Sequence, residues 1–361
     1  MSIIKTIALL FCGAGLVFSC SNEQNKGCHT LEDVDYIKRF PKEIKTDVYI
    51  EDRYDLTGAI SLFIDDSILY VAKMGAEHYI YAFDIDAGNL IGSFLKNGNG
   101  PGELLAVPAL SISSLKKDNG LVFSIIDGRG HLLDINFSES LKKGKTVLVG
   151  TEDVPTSNLM HCIKLDDRYG IYCTTLKPRF TGINRFIYYN GEQTSIPPLE
   201  ELNKNVINKE GDSFLFNLVG VMANCNTRLN RMVEASIYLN TIHLYDVDGP
   251  FAKTICMGKQ LSDIEALEEA GPTGMKTING YMMTFRDFFA ILHQDQEDEK
   301  SVCIFDWEGK PLGKIYVDSG IDSFDIDVKR GKLFALKNAT EELLIYDIRE
   351  LGAIVINQER V

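Results

Sequence analysis

Histidines and acidic side chains are the first candidates for chemistry in this chain, because they supply the metal ligands and general bases of hydrolytic enzymes. Their spacing matches no catalytic motif: the sequence contains no His-x-His, no His-Glu-x-x-His and no Gly-x-Ser-x-Gly segment. His78, His131, His161 and His243 are far apart in the chain, so they could form a metal centre only if distant segments met. We therefore predict no catalytic residue, metal ion or cofactor, and expect these histidines to be hydrogen-bonded structural residues.

The glycine-rich segment 97–104 (Asn-Gly-Asn-Gly-Pro-Gly-Glu-Leu) has two interpretations. It is not a phosphate-binding loop, because neither Gly-Lys-Ser/Thr nor a helix follows it. Its glycines permit positive φ, so Glu103 could accept backbone N–H bonds and fix the passage between two structural units. Alternatively, Asn99 and Glu103 form a polar lip that contacts a ligand.

Two other loop segments carry polar side chains that could contact a ligand. Arg129 and His131 lie in Asp-Gly-Arg-Gly-His, and Arg179 lies in Lys-Pro-Arg-Phe-Thr-Gly. Together with Asn99 and Glu103 they are our candidates for ligand binding. The acidic run 294–299 lacks the glycine and the spacing of a calcium loop, so we expect a solvated loop tip there.

The first 20 residues have the organisation of an export signal. Lys5 precedes an apolar run over residues 7–18, which is too short to span a membrane. Residues 16–20 (Leu-Val-Phe-Ser-Cys) resemble the bacterial lipobox, although Phe18 is bulkier than usual. We predict a signal peptide over 1–19, a lipid on Cys20 and a polar tether over 20–45. The alternative is an ordinary signal peptide cut near Ser19.

The composition narrows the compartment and the partners. By analogy with other lipoproteins, Ser21 in place of aspartate favours the outer membrane and leaves the leaflet open. The net charge of −14 argues against nucleic acid as a partner and against docking on anionic lipid through protein charge. Six cysteines follow Cys20 without a Cys-x-x-Cys pair, and we expect them to be small buried residues. A disulfide between Cys162 and Cys173 across a hairpin is the alternative.

A repeat of about 50 residues defines the expected fold. Apolar strands that end in Asp or Asn recur, with the polar residue at 84, 136, 190, 246, 306 and 347. A second hairpin precedes several of these strands, which gives two hairpins per unit. The pattern predicts an all-β, six-bladed β-propeller over 46–361, closed by the strand candidate 47–50. A capping pattern at 262–265 predicts a short helical insertion between blades four and five.

The propeller topology predicts which face binds. Strands alternate in direction within a blade, so the first and third connections lie on one face, and the second and the inter-blade connections lie on the other. The short turns fall on the first face and the long segments on the second. Long loops on a rigid scaffold commonly carry binding residues, so we expect the site on the second face, where the central channel opens.

With the lipobox and the six repeats, segment 98–104 resembles the six-bladed propeller lipoproteins of Bacteroides-type bacteria, the TolB-like propeller family. The resemblance covers nearly all of the mature chain and implies fold and location, but little chemistry. We expect a membrane-anchored envelope protein that binds a protein, peptide or glycan partner without catalysis. The alternative is a metal-dependent, lactonase-like hydrolase or lyase with its site in the central channel.

Overall fold

The computed structural model describes residues 30–354 with several gaps. The gaps are 32, 101, 107, 109, 111–113, 118–119, 128, 155–158, 166–167, 178–181, 205–217, 219, 272–273 and 296. The predicted signal peptide, Cys20 and the start of the predicted tether therefore lie outside the described residues. Across the part that is described, no helix combines the length and the apolar character needed to cross a membrane.

Six separate sheets follow one another along the chain, which confirms the predicted six-bladed β-propeller. Blades 1 to 3 contain β4 (Ala59–Asp65), β5 (Ile68–Lys73), β6 (His78–Asp84), β7 (Leu90–Lys96); β8 (Ser114–Lys117), β9 (Gly120–Ile126), β10 (His131–Asn136), β11 (Leu148–Asp153); and β12 (Leu159–Lys164), β13 (Ile171–Leu176), β14 (Ile183–Tyr189), β15 (Glu192–Thr194). Blades 4 to 6 contain β16 (Val221–Asn226), β17 (Arg231–Ser236), β18 (Thr241–Asp246), β19 (Ala252–Met257); β20 (Asn279–Thr284), β21 (Phe288–Gln294), β22 (Lys300–Asp306), β23 (Pro311–Tyr316); and β24 (Ser323–Asp327), β25 (Lys332–Lys337), β26 (Glu342–Asp347).

The N-terminal strands β1 (Val34–Ile37), β2 (Glu43–Ile44) and β3 (Val48–Glu51) run along the outer edges of blades 4, 5 and 6. β3 pairs antiparallel with β26 and completes blade 6, as predicted for residues 47–50. β1 pairs parallel with β19, and β2 pairs parallel with β23. We call residues 34–51 the strap. The sequence assigned 20–45 to a tether; 34–37 and 43–44 instead form strands, because they pair with the open edges of two sheets.

Three α-helices are described: α1 (Phe137–Lys143), α2 (Pro197–Lys204) and α3 (Ile264–Ala270), besides a 3-10 segment (Arg349–Ile354). α3 is the predicted insertion between blades 4 and 5. Its N-terminus is capped by Asp263, whose Oδ1 accepts from the backbone N of Ala266 at 3.1 Å. The sequence had placed this cap at Ser262, which instead donates its hydroxyl to Asn240 Oδ1 at 2.9 Å.

The recurring Asp or Asn ends the third strand of five blades and directly follows the third strand of blade 3, and in blades 1 and 5 it closes the turn that follows. Asp84 Oδ1 accepts from the backbone N of Asp86 and Ala87, at 2.9 and 2.7 Å. Asp306 Oδ1 accepts in the same way from Glu308 N and Lys310 N, at 3.0 and 2.8 Å. Such a side chain satisfies backbone donors that the turn leaves unpaired, so the repeat in the sequence has a local structural cause.

Buried apolar side chains join neighbouring blades. The Phe63 ring of blade 1 packs edge-on against Phe123 of blade 2, with centroids 4.7 Å apart, and Phe123 stacks on Phe137 of α1 at 4.3 Å. The five described cysteines are also buried and free, as expected for small core residues. Cys162 and Cys173 lie opposite each other on β12 and β13, with their Sγ atoms 3.3 Å apart and no bond between them.

The two ends of the propeller differ. At one end of the propeller lie the connections between blades and the connections from the second to the third strand of each blade; we call this end the loop face. We call the opposite end the turn face. α2 and α3 lie in inter-blade connections and therefore belong to the loop face. α1 is the exception to the short turns predicted for the turn face. It forms between β10 and β11, where Asn136 Oδ1 caps it by accepting from Glu139 N at 2.8 Å.

Candidate functional site

The glycine-rich segment is a turn built around the Glu103 carboxylate. Glu103 Oε2 accepts from Gly100 N at 2.8 Å, and Glu103 N donates to Gly100 O at 3.0 Å. A Cβ at Gly98 or Gly100 would lie 2.2 or 2.9 Å from Glu103 Oε2, so both positions require glycine to admit the carboxylate. The predicted structural role of Glu103 is therefore confirmed.

Arg129 ties this turn to blade 2. Its Nη1 donates to the backbone O and to Oδ1 of Asn99, both at 3.2 Å, and its Nη2 donates to Glu103 O at 3.3 Å. Its Nε donates to Asp127 Oδ2 at 3.0 Å. One guanidinium thus joins the connection between blades 1 and 2 to a loop within blade 2.

Asp127 is the acceptor at the centre of this group. It accepts from the backbone N of Arg129 and His131 at 2.7 and 3.0 Å, and lies 2.8 Å from His131 Nδ1. Its side chain is only 1% exposed. Burial raises the pKa of Asp127, but the hydrogen bonds from His131 and Arg129 outweigh it and lower the pKa to about 2. On the other side of the ring, His131 Nε2 lies 3.6 Å from Asp153 Oδ1.

The structure brings together four of the five residues predicted to bind a ligand. We call Asn99, Glu103, Asp127, Arg129 and His131 the clasp. The sequence had not singled out Asp127, although its place two residues before Arg129 in a tight turn was a usable signal. Most polar atoms of the clasp bond to one another, so its evident role is to hold two loops together. Arg179 lies outside the described residues.

His78, His161 and His243 bond within the sheets, as predicted. Nδ1 of His161 lies 3.0 Å from Thr174 Oγ1, and Nδ1 of His243 lies 3.0 Å from Thr254 Oγ1. On the innermost strand of blade 6, Asp325 Oδ2 accepts from Ile64 N of blade 1 at 2.6 Å. Among the residues that the structure describes, no group of three or more His, Cys, Asp or Glu side chains is arranged to hold a metal ion.

A cavity of about 590 Å³ opens on the loop face between blades 4 and 5. Residues 37–40 of the strap form one wall, residues 257–260 form another, and residues 293–295 at the end of β21 form a third. We call it the strap pocket. Its volume falls in the range of small-molecule sites, about 300–1,000 Å³. It exists because β1 and β2 carry the strap across the boundary between two blades.

His293 presents an unprotonated nitrogen in this pocket. The amide N of Asn279 donates to Ser236 O and Leu239 O at 2.7 and 3.0 Å, so its Oδ1 must be the acceptor for His293 Nδ1, 2.9 Å away. Nδ1 therefore carries the ring proton, and Nε2 keeps its lone pair. Burial, with the nearby Lys314 charge, lowers the pKa of His293 to about 4, so the ring is neutral at pH 7. No described residue bonds to Nε2, although the residue is only 6% exposed.

Cations surround the mouth of the strap pocket. Lys38, Arg39 and Lys259 line it, and none of the three forms an ion pair with another described residue. Lys314 also lines it, with a side chain 13% exposed and Nζ 4.0 Å from Asp295 Oδ2. The sequence analysis missed His293 and Lys314, because nothing in their spacing shows that the strap crosses beside them.

Carboxylates also line the pocket, and two of them hold its walls. Glu43 Oε2 accepts from the Tyr316 hydroxyl at 2.6 Å. Asp295 Oδ1 accepts from the backbone N of Glu297 and Glu299, at 2.9 and 3.0 Å. These contacts fix the strap and the loop after β21 and engage the carboxylates of Glu43 and Asp295. Glu297 also lines the pocket, and three of the four cations have no ion pair in the described structure.

Other concavities lie near the strap pocket and on the opposite face. One of about 190 Å³ shares Ile278 and Gln294 with the strap pocket, and another of about 380 Å³ lies between blades 5 and 6. The turn face carries two larger ones, of about 1000 Å³ beside α1 and about 960 Å³ beside Arg349. Several charged side chains there are ion-paired, as Lys142 is with Glu139 and Arg349 with Asp347.

Comparisons with known proteins give likeness in shape only. No family model and no curated protein matches the chain. Solved structures that resemble it include a member of the DUF4221 family from Bacteroides vulgatus, with 12% identity and a TM-score of 0.45 over 84% of this chain and 96% of that one. Raptor from Chaetomium thermophilum has 13% identity and a TM-score of 0.46, over 84% of this chain and 28% of that one. A candidate 6-phosphogluconolactonase from Bacteroides uniformis has 12% identity and a TM-score of 0.41, over 83% of each chain. None of these likenesses carries an argument about function.

Proposed function

We propose that this chain is a lipid-anchored envelope protein whose propeller binds a protein, peptide or glycan partner at the loop face, without catalysis. The observation that carries the proposal is the strap pocket, a concavity of ligand size with a buried neutral histidine and unpaired cations. Two smaller concavities adjoin blade 5 on the same face and extend the surface available to a partner. The proposal also includes membership of this chain in the TolB-like propeller family.

Charge pairing favours the loop face over the turn face. The larger grooves of the turn face are lined by charged side chains that already neutralise one another, such as Arg330 with Asp327 and Asp86. A partner that docked there would have to break these pairs or leave them buried, which costs free energy. Lys38, Arg39 and Lys259 of the strap pocket can bind a partner without such a cost.

The course of the strap indicates how an anchor at Cys20 would orient the propeller. β1 runs parallel to β19, which leads from the turn face to the loop face, so the described residues before β1 lie towards the turn face. The chain from Cys20 to Thr30 can span at most about 35 Å when fully extended. A membrane lipid at Cys20 would therefore hold the turn face nearer the bilayer and leave the loop face open to a partner.

Metabolic labelling with radioactive palmitate tests the anchor. We expect label in the wild-type protein, with the protein in the membrane fraction, and no label in Cys20→Ala. Cys28→Ala is the matched control and should keep its label. Release of unlabelled wild-type protein from the membrane would contradict the anchor.

Site-specific photo-crosslinking in cells tests the binding face. A benzoyl-phenylalanine at Gln260, an exposed and neutral residue of the strap pocket on the loop face, should give a defined adduct, whereas the same residue at Lys142 on the turn face should give none. Adducts from Lys142 alone would contradict the proposed face. The non-catalytic half of the proposal fails if the purified protein hydrolyses lactones or esters at a rate that depends on added divalent metal.

A further inference from the structure

We propose that the strap pocket binds an acidic saccharide, with a sugar hydroxyl donating to His293 Nε2 and a carboxylate facing the cations at the mouth. This inference rests on the proposed function, because it takes the loop face as the binding face and names the class of ligand.

His293 offers a hydrogen-bond acceptor inside the pocket. Its Nδ1–H is committed to Asn279 Oδ1 at 2.9 Å, so the ring has only an acceptor left to offer. The low pKa of His293 keeps that acceptor unprotonated at neutral pH. Nε2 is not one of the fully buried polar atoms that lack a partner, so it is open to solvent, and a ligand hydroxyl or N–H can replace water as its donor.

The mouth of the pocket requires negative charge. Lys38, Arg39 and Lys259 line the cavity without an ion pair in the described structure, and Lys314 Nζ lies 4.0 Å from Asp295 Oδ2 and 4.4 Å from the centre of the Tyr316 ring. A ligand with both a donor and an anion matches both His293 and these cations. Phe40 also lines the cavity, with its ring packed edge-on against Phe305 at a centroid distance of 5.4 Å.

The strap makes an extended peptide a poorer fit than a saccharide. Extended peptides commonly bind sheets by adding a strand to an open edge. At this pocket β1 and β2 are the outer edge strands of blades 4 and 5, and with four and two residues they offer a peptide only short edges to pair with. The side chains that line the pocket match a ligand whose donors and charges point outward from a compact ring.

Titration calorimetry with the full mature protein tests the ligand class. The probes are galacturonic acid oligosaccharides of two to four residues and neutral galactose oligosaccharides of the same lengths. We expect the acidic series to bind and the neutral series to bind at least tenfold more weakly, because one charged contact is equivalent to about a factor of ten or more. Equal affinity for the two series would overturn the proposal, as would the absence of binding by the acidic series.

Two variants and one spectroscopic signal test the roles of the residues. His293→Gln should weaken binding about tenfold, equivalent to one hydrogen bond, and Lys259→Met should weaken binding and reduce its dependence on salt. Lys142→Met on the turn face is the matched control and should bind like the wild type. If His293→Gln does not fold, the ¹⁵N resonance of His293 Nε2 in the wild type replaces it: the resonance should shift when the acidic saccharide binds.

Two results would reject the saccharide specifically. An unchanged Nε2 resonance at saturating saccharide places the ligand elsewhere and overturns the inference. An acidic peptide that shifts the resonance when no saccharide does overturns it as well. In either case the Gln260 crosslinking experiment still decides the proposed function by itself, since it leaves His293 and the cations of the pocket in place.

Discussion

Asp127 shows how one buried carboxylate organises two loops of the propeller. Its two oxygens accept from two backbone N–H groups, from Arg129 Nε and from His131. Arg129 in turn reaches Asn99 and Glu103, so the contacts of Asp127 extend to the glycine-rich turn. Charge-assisted hydrogen bonds of this kind are stronger than neutral ones, and they explain why the Asp127 pKa lies near 2 despite burial.

Asp127→Asn should destabilise the protein at pH 7 by about 1–3 kcal/mol. The neutral amide accepts weaker hydrogen bonds from Arg129 and His131 than the carboxylate does, and its own NH₂ group would face these donors. The folded-state pKa of Asp127 is depressed, so its stabilising contribution is present above pH 4 and is lost as the pH falls towards 2. Urea unfolding at pH 7 and pH 3 should therefore show a smaller difference between variant and wild type at the lower pH. Asp153→Asn, with a side chain 89% exposed, is the control and should change little.

The described cysteines should be unreactive in the folded protein. Burial raises the pKa of Cys225 and Cys303 to about 12, so at pH 8 only about one molecule in 10⁴ carries the thiolate that reacts. Iodoacetamide labelling of the reduced protein, with each cysteine followed by mass spectrometry, should modify Cys225 and Cys303 only after urea unfolding. Rapid labelling of either residue in the native state would show that its blade opens locally.

The spacing of single residues predicted most residues of the clasp but none of the strap pocket. Asn99, Glu103, Arg129 and His131 were recognisable because they lie in short glycine-rich turns that must be on the surface. His293 was not recognisable, because its importance depends on the orientation of Asn279 and on a strap from the other end of the chain. Its neighbours in the sequence suggested only a solvated loop.

At the boundary of blades 3 and 4, strands β14 and β17 are joined by a buried ion pair. Arg185 Nε donates to Glu234 Oε2 at 2.8 Å, and Tyr172 and Tyr245 each donate a hydroxyl to Oε1 at 2.6 Å. The side chains of Arg185 and Glu234 are 1% and 0% exposed. Burial raises the pKa of Glu234, but the Arg185 charge and the tyrosine hydroxyls outweigh it, so Glu234 stays ionised. The pair specifies which faces of two blades meet.

Glu234→Gln should cost about 3–5 kcal/mol of unfolding free energy, because it leaves the buried Arg185 without a counter-charge. The double variant Arg185→Met with Glu234→Leu should be more stable than Glu234→Gln, since it removes both charges. Urea unfolding monitored by circular dichroism measures the unfolding free energies of the wild type, Glu234→Gln and the double variant. Glu139→Gln, which breaks an ion pair with Lys142 on the surface of α1, is the control and should leave the unfolding free energy nearly unchanged. A double variant less stable than Glu234→Gln would contradict the argument.

The strands were more predictable than the elements between them. Each blade repeats a strand with Asp or Asn at or directly after its end, and in Asp84 and Asp306 that residue caps its own turn, so the signal is local and recurs. α1 escaped prediction because it interrupts a turn that is short in most other blades. β1 and β2 escaped because four and two residues carry little pattern, and their partners lie more than 200 residues away.

Closure of the ring is a property of the whole molecule. β3 from the N-terminal region pairs with β26 from the C-terminal region, so the first and last parts of the described chain hold the same blade. Blade 1 then packs against blade 6, where Asp325 bonds to Ile64 N. The sequence allowed this closure to be predicted because 47–50 contains the apolar run Val48–Ile50 and precedes the first repeat. It did not reveal that the strap also covers blades 4 and 5.

Truncation separates closure of the ring from formation of the strap pocket. A chain that begins at residue 46 keeps β3 but loses β1 and β2, so we expect a folded propeller that lacks one wall of the strap pocket. A chain that begins at residue 53 also loses β3 and should be less stable by a further 2–6 kcal/mol or so, from about four backbone hydrogen bonds of 0.5–1.5 kcal/mol each. It also exposes the edge of β26 to aggregation. Urea unfolding and size-exclusion chromatography compare both with a chain that begins at residue 30. Equal midpoints for the chains from 46 and 53 would mean that β3 does not close the ring.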